Sequence, residues 1–331
     1  MPPLLSVSDL SVAIRLQGVP TEVIRNVDLQ VEQGDFLGLV GESGSGKSLT
    51  ALTILGLLPE QCTVQSGRVE LAGEDLLVLS ERQRSHARGG KVAMIFQEPM
   101  SALNPVLEVG YQIAEVVRAH KGGSRKSAWQ EARRLLDLVA IPAAADRLHD
   151  YPHQLSGGQR QRVMIAMALA GEPDLLLADE PTSALDVTVQ AQILDLLEQL
   201  RVELGLTIVL ITHDLGVVAE SCGKVAVMYA GEVVEEAGVE QLFAAPAHPY
   251  TRALIAAQPR MGHVSADGWL ATLAGQPADF RTLPTGCTFH PRCPEVMSEC
   301  HLSSPSLTPL GGSHSVSCWL HSEPSAGGGE E

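Results

Sequence analysis

The sequence predicts an α/β fold with a parallel-sheet core, an antiparallel β subdomain, a helical lobe and a small C-terminal appendage that carries cysteines. Short apolar runs have the length of buried strands; they lie at residues 36–40, 92–96, 174–179 and 207–212. Period-two alternation at residues 4–33 and 66–73 indicates antiparallel strands at the edge of the core. Between the second and third apolar runs, helical patterns at residues 109–120 and 127–139 predict the helical lobe.

Length and composition limit the organisation and the function. A chain of 331 residues with 45% hydrophobic residues can bury a sizeable core. We expect a large domain at residues 1–240 with its helical lobe at about 98–160, an extension at 241–321 and a disordered tail at 322–331. The net charge of −16 argues against a nucleic-acid partner. No apolar run approaches the roughly 18 residues of a membrane-spanning helix, and no signal-peptide pattern opens the chain.

Residues 41–48 read Gly-Glu-Ser-Gly-Ser-Gly-Lys-Ser, which fits the pattern G-x-x-x-x-G-K-[ST]. A strand precedes this stretch, and a helix predicted at residues 49–58 follows it and stops at Pro59, which is the context the motif requires. The glycines let backbone amides face a phosphate, so we predict a nucleoside triphosphate site rather than a plain glycine-rich turn. The predicted nucleotide contacts here are Gly41, Ser43, Gly44, Ser45, Gly46, Lys47, Ser48 and Leu49.

Two carboxylates follow the strand at residues 174–179. Asp179 and Glu180 lie at its carboxyl end, the side where open α/β sheets bind ligands. With the glycine loop, Asp179 suits the shell of a Mg²⁺ ion that the Ser48 hydroxyl also ligates, and Lys47 would reach the β- and γ-phosphates. Glu180 suits the base, or the orienting group, of an attacking water.

Three further motifs make the chain resemble the ATP-binding subunits of ABC transporters over nearly all of its length. They are the Leu-Ser-Gly-Gly-Gln signature at residues 155–159, the Ser-Ala-Leu-Asp run at 183–186, and the pair Gln97 and His213, each of which follows an apolar strand. The resemblance implies a P-loop NTPase core of ABC type that hydrolyses ATP. The implied catalytic residues are Lys47, Gln97, Glu180 and His213; the implied Mg²⁺ ligands are Ser48, Gln97 and Asp179; the further ATP contacts are Gln97, Ser156, Gly158, Gln159, Asp186 and His213.

The signature also has a physical interpretation. Ser156 and Gly158 precede a helix predicted at residues 160–169, and a helix N-terminus favours an anion. Since the glycine loop supplies its own amides, a second phosphate-facing terminus is needed mainly if ATP lies between two subunits, as the resemblance implies.

Other segments narrow the resemblance to the bacterial dipeptide and oligopeptide importers, with nickel importers as close relatives. These segments are residues 94–105, 151–155 and 248–251, together with the cysteine-rich extension. The resemblance implies a second ABC ATPase subunit that forms a heterodimer with this chain, two integral membrane permease subunits and an extracytoplasmic solute-binding protein. It places the chain peripherally at the cytoplasmic face of the bacterial inner membrane. Alternatives are a nickel or other small-solute importer and a non-transport ABC ATPase.

Six cysteines occur, of which Cys62 and Cys222 are isolated. The other four are Cys287, Cys293, Cys300 and Cys318. A cytosolic chain keeps thiols reduced, so a metal is favoured over disulfides, and a four-cysteine set holds either Zn²⁺ or an iron–sulfur cluster. The resemblance favours a [4Fe–4S] cluster, with zinc and a metal-free extension as alternatives.

One departure from the family concerns adenine. Many relatives place an aromatic residue ahead of the glycine loop to stack on the base, whereas residues 1–35 contain no Phe, Tyr or Trp. Thr21, Val23 and Ile24 are left as apolar contacts, and we expect a lower selectivity for the base.

Overall fold

The computed structural model describes residues 2–183, 185–258 and 273–321, so the tail predicted at 322–331 lies outside the described residues. Its strands are β1 (Leu5–Leu16), β2 (Val19–Val31), β3 (Phe36–Val40), β4 (Cys62–Leu71), β5 (Glu74–Asp75), β6 (Val92–Ile95), β7 (Leu175–Asp179), β8 (Thr207–Thr212), β9 (Lys224–Tyr229), β10 (Glu232–Gly238), β11 (Thr308–Gly311) and β12 (His314–Val316). Its helices are α1 (Lys47–Ile54), α2 (Glu81–Gly90), α3 (Pro99–Ala102), α4 (Val109–Lys121), α5 (Arg125–Leu138), α6 (Ala144–Arg147), α7 (Gly157–Leu169), α8 (Val187–Leu204), α9 (Leu215–Ser221), α10 (Val239–Ala244), α11 (Pro249–Ala256) and α12 (Glu299–Leu302). None of the helices in these ranges is both long and apolar enough to cross a membrane.

The larger sheet has the strand order β11-β12-β10-β9-β3-β8-β7-β6. Strands β6, β7, β8, β3 and β9 pair in parallel, whereas β10, β12 and β11 pair antiparallel. Every residue of β3, β7 and β8 is buried, which explains why their sequences are mostly apolar. The predicted α/β class is therefore confirmed, and the carboxyl ends of β6, β7 and β8 bring residues from distant positions to one edge.

The smaller sheet is the expected antiparallel subdomain, with the order β2-β1-β4-β5. Strand β1 pairs with both β2 and β4, and its register shifts near Asp9, which has a φ of +48°. The inward-facing residues of these strands join one core with the buried residues of β3 and α1. This packing holds the amino-terminal strands beside the glycine loop.

The helical lobe also agrees with the sequence prediction. Helices α4 and α5 overlap the predicted ranges and pack with α7 in a core that includes Ile113, Leu135 and Val163. The amino-terminal end of α5 is fixed by Ser124, whose side chain accepts a hydrogen bond from the Ser127 N–H. The lobe positions the amino-terminal end of α7, where the signature lies.

Two predicted helix boundaries were wrong. Helix α1 starts at Lys47 and ends at Ile54 instead of running to Pro59. Gly56 adopts φ +64°, and the N–H groups of Gly56 and Leu57 bond back to the carbonyls of Thr53 and Leu52, which is the Schellman arrangement that ends helices. Helix α7 starts at Gly157 rather than at residue 160, because Ser156 caps it.

The extension predicted at residues 241–321 is rich in loops but packs against the core sheet. Strands β11 and β12 add to the large sheet next to β10. The fully buried Glu235 carboxylate of β10 accepts hydrogen bonds from the N–H groups of Ala247 (2.7 Å) and His248 (2.9 Å) and from His314 Nε2 (2.8 Å). These bonds tie both ends of the extension to one buried side chain of the core sheet.

Candidate active site

The glycine loop runs from β3 into α1 with close backbone contacts. A side chain at Gly41 would place its Cβ only 2.1 Å from the Met228 carbonyl oxygen. Gly46 has a φ of +107°, and its Cβ would lie 3.2 Å from the Val23 carbonyl oxygen. The loop therefore requires glycine at both positions, one for close approach and one for backbone conformation.

Lys47 is the first residue of α1 and is buried inside the curve of the loop. Its Nζ donates hydrogen bonds to the carbonyl oxygens of Gly41 (2.8 Å) and Glu42 (2.9 Å). Burial lowers the pKa of the Lys47 ammonium, while the carboxylates of Glu180, Asp179 and Glu42 act in the opposite direction. The geometry thus places one cation where the amino-terminal end of α1 and the loop amides converge.

Asp179 and Ser48 lie side by side next to that cation. The Ser48 hydroxyl donates to Asp179 Oδ1 at 3.0 Å. Burial raises the pKa of Asp179 and nearby Glu180 adds to the rise, whereas the Ser48 hydrogen bond and Lys47 oppose it. A hydroxyl and a carboxylate together fit Mg²⁺, which prefers oxygen ligands and is held by few protein groups.

Glu180 binds two side chains from neighbouring strand ends. His213 Nδ1 lies 2.8 Å from Glu180 Oε1, and Gln97 Nε2 donates to Glu180 Oε2 at 3.0 Å. The Glu180 backbone has a φ of +45°, and its N–H donates to the Ile211 carbonyl at 2.8 Å. A left-handed non-glycine residue costs of order 1–3 kcal/mol, and such strain is concentrated at functional sites. The structure therefore brings together Lys47, Ser48, Gln97, Asp179, Glu180 and His213.

The signature residues make local capping hydrogen bonds. Ser156 Oγ accepts from the Gln159 N–H at 3.3 Å, and Gln159 Oε1 accepts from the Ser156 N–H at 2.9 Å, which forms a capping box on α7. Asp186 caps α8 by accepting from the Val189 N–H at 3.0 Å, and Gly158 packs against Val189. Within the described residues, no hydrogen bond joins Ser156, Gly158, Gln159 or Asp186 to the glycine loop.

The residues predicted to contact adenine are only partly suitable. Ile24 is fully buried in the core between the two sheets, so its prediction as a base contact was wrong. The period-two pattern of β2 turns this side chain inward. Thr21 and Val23 are partly exposed, and the Val23 carbonyl lies beside Gly46.

The extension contacts the glycine loop directly, which sequence patterns did not predict. The Glu42 N–H donates to Tyr250 Oη at 2.9 Å, and Arg292 donates to both Glu42 carboxylate oxygens at 2.7 and 3.1 Å. Tyr250 belongs to the segment 248–251, which predicted only a resemblance to the peptide importers. No local signal pairs Arg292 with a residue 250 positions earlier.

The cysteines of the extension share one region without forming a metal site. Burial raises the pKa of Cys287 to about 11, and the neighbouring thiols of Cys300, Cys318 and Cys293 add to this rise. Across residues 2–183, 185–258 and 273–321, no group of three or more His, Cys, Asp or Glu side chains is arranged to hold a metal ion. The side chains as placed do not fit the predicted [4Fe–4S] cluster. Elsewhere, burial raises the pKa of the Cys222 thiol to about 12.

Comparison with known families matches both parts of the chain. Residues 24–183 match the family described as "ABC transporter", and residues 234–300 match "Oligopeptide/dipeptide transporter, C-terminal region". The probable peptide ABC transporter ATP-binding protein y4tR of Sinorhizobium fredii is 49% identical over 97% of this chain and 96% of its own length. The dipeptide transport ATP-binding protein DppD is 45% identical in Bacillus subtilis and 46% identical in Escherichia coli, covering 98% and 95% of this chain and 96% of each relative.

Solved structures agree with the fold. The dimeric ATP-binding cassette MJ0796 bound to ADP and Pi is similar with a TM-score of 0.64 and 29% identity, over 71% of this chain and 98% of that chain. The cbiO1 structure from Clostridium perfringens has a TM-score of 0.65 and 25% identity, over 74% and 92%. The chain belongs to the ABC transporter family, among the ATP-binding proteins of dipeptide and oligopeptide transporters, and it is an ATPase.

Proposed function

We propose that this chain hydrolyses MgATP to power the import of dipeptides or oligopeptides across the bacterial cytoplasmic membrane. The observation that carries this proposal is the hydrogen-bonded series Gln97–Glu180–His213 beside the Ser48–Asp179 pair, on a chain whose extension matches peptide transporters. The names of relatives that are 45–49% identical over nearly the whole chain support the peptide cargo.

The site residues divide the chemistry between them. Lys47 and the loop amides bind the β- and γ-phosphates. Ser48, Asp179 and Gln97 would hold Mg²⁺, which would neutralise phosphate charge. Glu180 accepts a proton from the water as its oxygen bonds to the γ-phosphorus. The bond between the γ-phosphorus and the β,γ-bridging oxygen breaks, and ADP leaves with that electron pair. Hydrogen bonds from His213 and Gln97 fix the Glu180 carboxylate at the strand edge while the water is aligned.

We infer that ATP is bound between two subunits. The signature residues Ser156, Gly158 and Gln159 lie at the amino-terminal end of α7, where backbone amides attract an anion, and Asp186 lies beside them on α8. These residues lack hydrogen bonds to the loop of their own chain within the described residues, which favours their use by a second ATPase subunit. Since one chain carries both halves of the site, it can pair with a copy or with a similar partner; we propose the heterodimer.

A groove between the core and the helical lobe supports attachment to permease subunits. Its apolar lining continues from the Gln97 strand end and includes Met94, Phe96, Ala102, Val116, Met164 and Met167. Phe96 in the lining is 39% exposed, and Met100, which follows it in the sequence, is 50% exposed. An apolar surface of this kind favours protein contact. We propose that this groove contacts the permease subunits and that the chain lies at the cytoplasmic face of the membrane. Two permease subunits would receive solute from a solute-binding protein.

The [4Fe–4S] cluster is a separate proposal for the extension. The four thiols occur in one region, where Cys300, Cys318 and Cys293 contribute to raising the pKa of Cys287. Their presence supports the proposal, although the described side chains are not arranged as a metal site. Protein purified without oxygen should contain iron and acid-labile sulfide in equal amounts. A stable, colourless and iron-free protein would contradict the proposal.

The experiment that tests the proposed function is uptake by cells whose only copy of the chain carries Lys47→Ala. Radiolabelled dipeptide, longer peptide and nickel are measured side by side, with the parent chain as control. We expect loss of peptide uptake with normal nickel uptake. Loss of nickel uptake alone would assign the ATPase to a metal importer.

A further inference from the structure

The extension binds the second residue of the glycine loop from two directions. The Glu42 backbone N–H donates to Tyr250 Oη at 2.9 Å, and both oxygens of its carboxylate accept from the Arg292 guanidinium at 2.7 and 3.1 Å. A bidentate arginine–carboxylate pair fixes orientation as well as charge. Both the backbone and the side chain of Glu42 are therefore held by one structural region that lies far away in the sequence.

The two groups that hold Glu42 are themselves fixed. The Arg292 side chain is 5% exposed, its Nε donates to the Ala274 carbonyl at 2.9 Å, and its guanidinium lies 5.8 Å from the centre of the Tyr229 ring. Tyr250 is fully buried, with its ring centre 4.6 Å from Tyr229 and 5.4 Å from Phe289. Buried rings and a buried arginine lose little further freedom when the loop binds a ligand, so they form a rigid support.

Glu42 links the extension to Lys47 through its backbone carbonyl. Its carbonyl oxygen accepts a hydrogen bond from Lys47 Nζ at 2.9 Å and another from the Ser45 N–H at 3.2 Å. A shift of Glu42 would therefore move the group that orients the lysine and the first turn of the loop. A prearranged binding loop avoids an ordering cost when the ligand binds.

We propose that the C-terminal extension sets the conformation of the glycine loop in its own subunit, with Arg292 and Tyr250 as positioning residues for nucleotide binding. Both act through Glu42 and not on the reacting atoms. The inference goes beyond the proposed function, because it requires only that the loop binds MgATP and is independent of the cargo. It gives the extension a role in the nucleotide site itself.

The test uses two variants of the full chain. Arg292→Lys keeps the positive charge but cannot form the bidentate pair with the Glu42 carboxylate. Tyr250→Phe removes only the hydroxyl that accepts from the Glu42 N–H. We expect each substitution to raise the Kd and the KM for MgATP about tenfold, the change that corresponds to about 1.4 kcal/mol, with kcat changed less than about threefold. The matched control is Arg252→Lys, since Arg252 donates to Glu295 and to the Ala247 carbonyl within the same extension, and none of its described hydrogen bonds reaches the loop. The control should leave Kd within about twofold of the parent.

A double-mutant cycle separates positioning from general stability. If Arg292 acts through Glu42, Glu42→Gln combined with Arg292→Lys should weaken MgATP binding no more than the stronger single change. Thermal unfolding of each variant is recorded in parallel. A lowered Tm with MgATP affinity unchanged, in both Arg292→Lys and the conservative Tyr250→Phe, would show a merely structural contact and overturn the proposal. So would additive losses in the cycle.

Discussion

Replacing Glu180 by glutamine removes the proposed base while keeping its shape. Glutamine can still accept from Gln97 through its oxygen and can donate its amide to His213 Nδ1 when that nitrogen is unprotonated, so both contacts at 2.8 and 3.0 Å have replacements. What disappears is the carboxylate that takes the proton of the water. A general base contributes about 10²–10⁴ to the rate, which at about 1.36 kcal/mol per tenfold is about 3–5 kcal/mol of barrier.

The assay is steady-state ATP hydrolysis with MgATP binding and oligomeric state measured on the same samples. We expect Glu180→Gln to lower kcat at least about a hundredfold with the MgATP Kd nearly unchanged, and to accumulate an ATP-bound dimer of ATPase subunits. Glu203→Gln is the matched control, since it removes an exposed carboxylate of α8. Turnover of Glu180→Gln within about threefold of the parent would refute the assignment of the base.

Three other predictions follow from the site and the fold. Of the three predicted base contacts Thr21 and Val23 are accessible, and residues 1–35 contain no aromatic residue. GTP should therefore support hydrolysis with a kcat/KM within about tenfold of that for ATP; strict ATP preference in a competition assay would contradict this. Burial lowers the pKa of Lys47, so MgATP affinity should begin to fall at an alkaline pH below the ordinary pKa of lysine, as titration calorimetry against pH would show. In that window the unfolded state binds more protons than the folded one, so this group makes the nucleotide-free protein more stable as pH rises. His314→Ala removes one partner of the fully buried Glu235 carboxylate and should lower the free energy of unfolding by about 1–3 kcal/mol; an unchanged urea midpoint would show that this pair does not anchor the extension.

Sequence reasoning succeeded where function and structure are encoded locally. The glycine loop, the strand ending in Asp179 and the strand at residues 207–212 each combine a continuous apolar run with an adjacent polar motif. Such runs are buried on both faces of a parallel sheet, and their carboxyl ends must meet at one edge. This topology makes the contact between Glu180 and His213 foreseeable without any structure.

The sequence failed where contacts between distant residues decide the conformation. Arg292 meets Glu42 across 250 positions, and His314 meets Glu235 across 79, so nothing in a local window marks either pair. Those contacts return the extension to the core sheet, whereas the sequence predicted only a separate C-terminal appendage. Ile24 was misassigned for a similar reason, because the face of an edge strand that is covered depends on what packs against it.

The central claim is that ATP hydrolysis by this chain is coupled to peptide uptake. The most direct measurement is ATP hydrolysis by membranes that contain the assembled transporter and its solute-binding protein, with peptide or nickel added. The account predicts that peptide stimulates hydrolysis severalfold with the parent chain, that nickel does not, and that Lys47→Ala abolishes both the basal and the stimulated rates. Hydrolysis that ignores peptide and responds to nickel would contradict it.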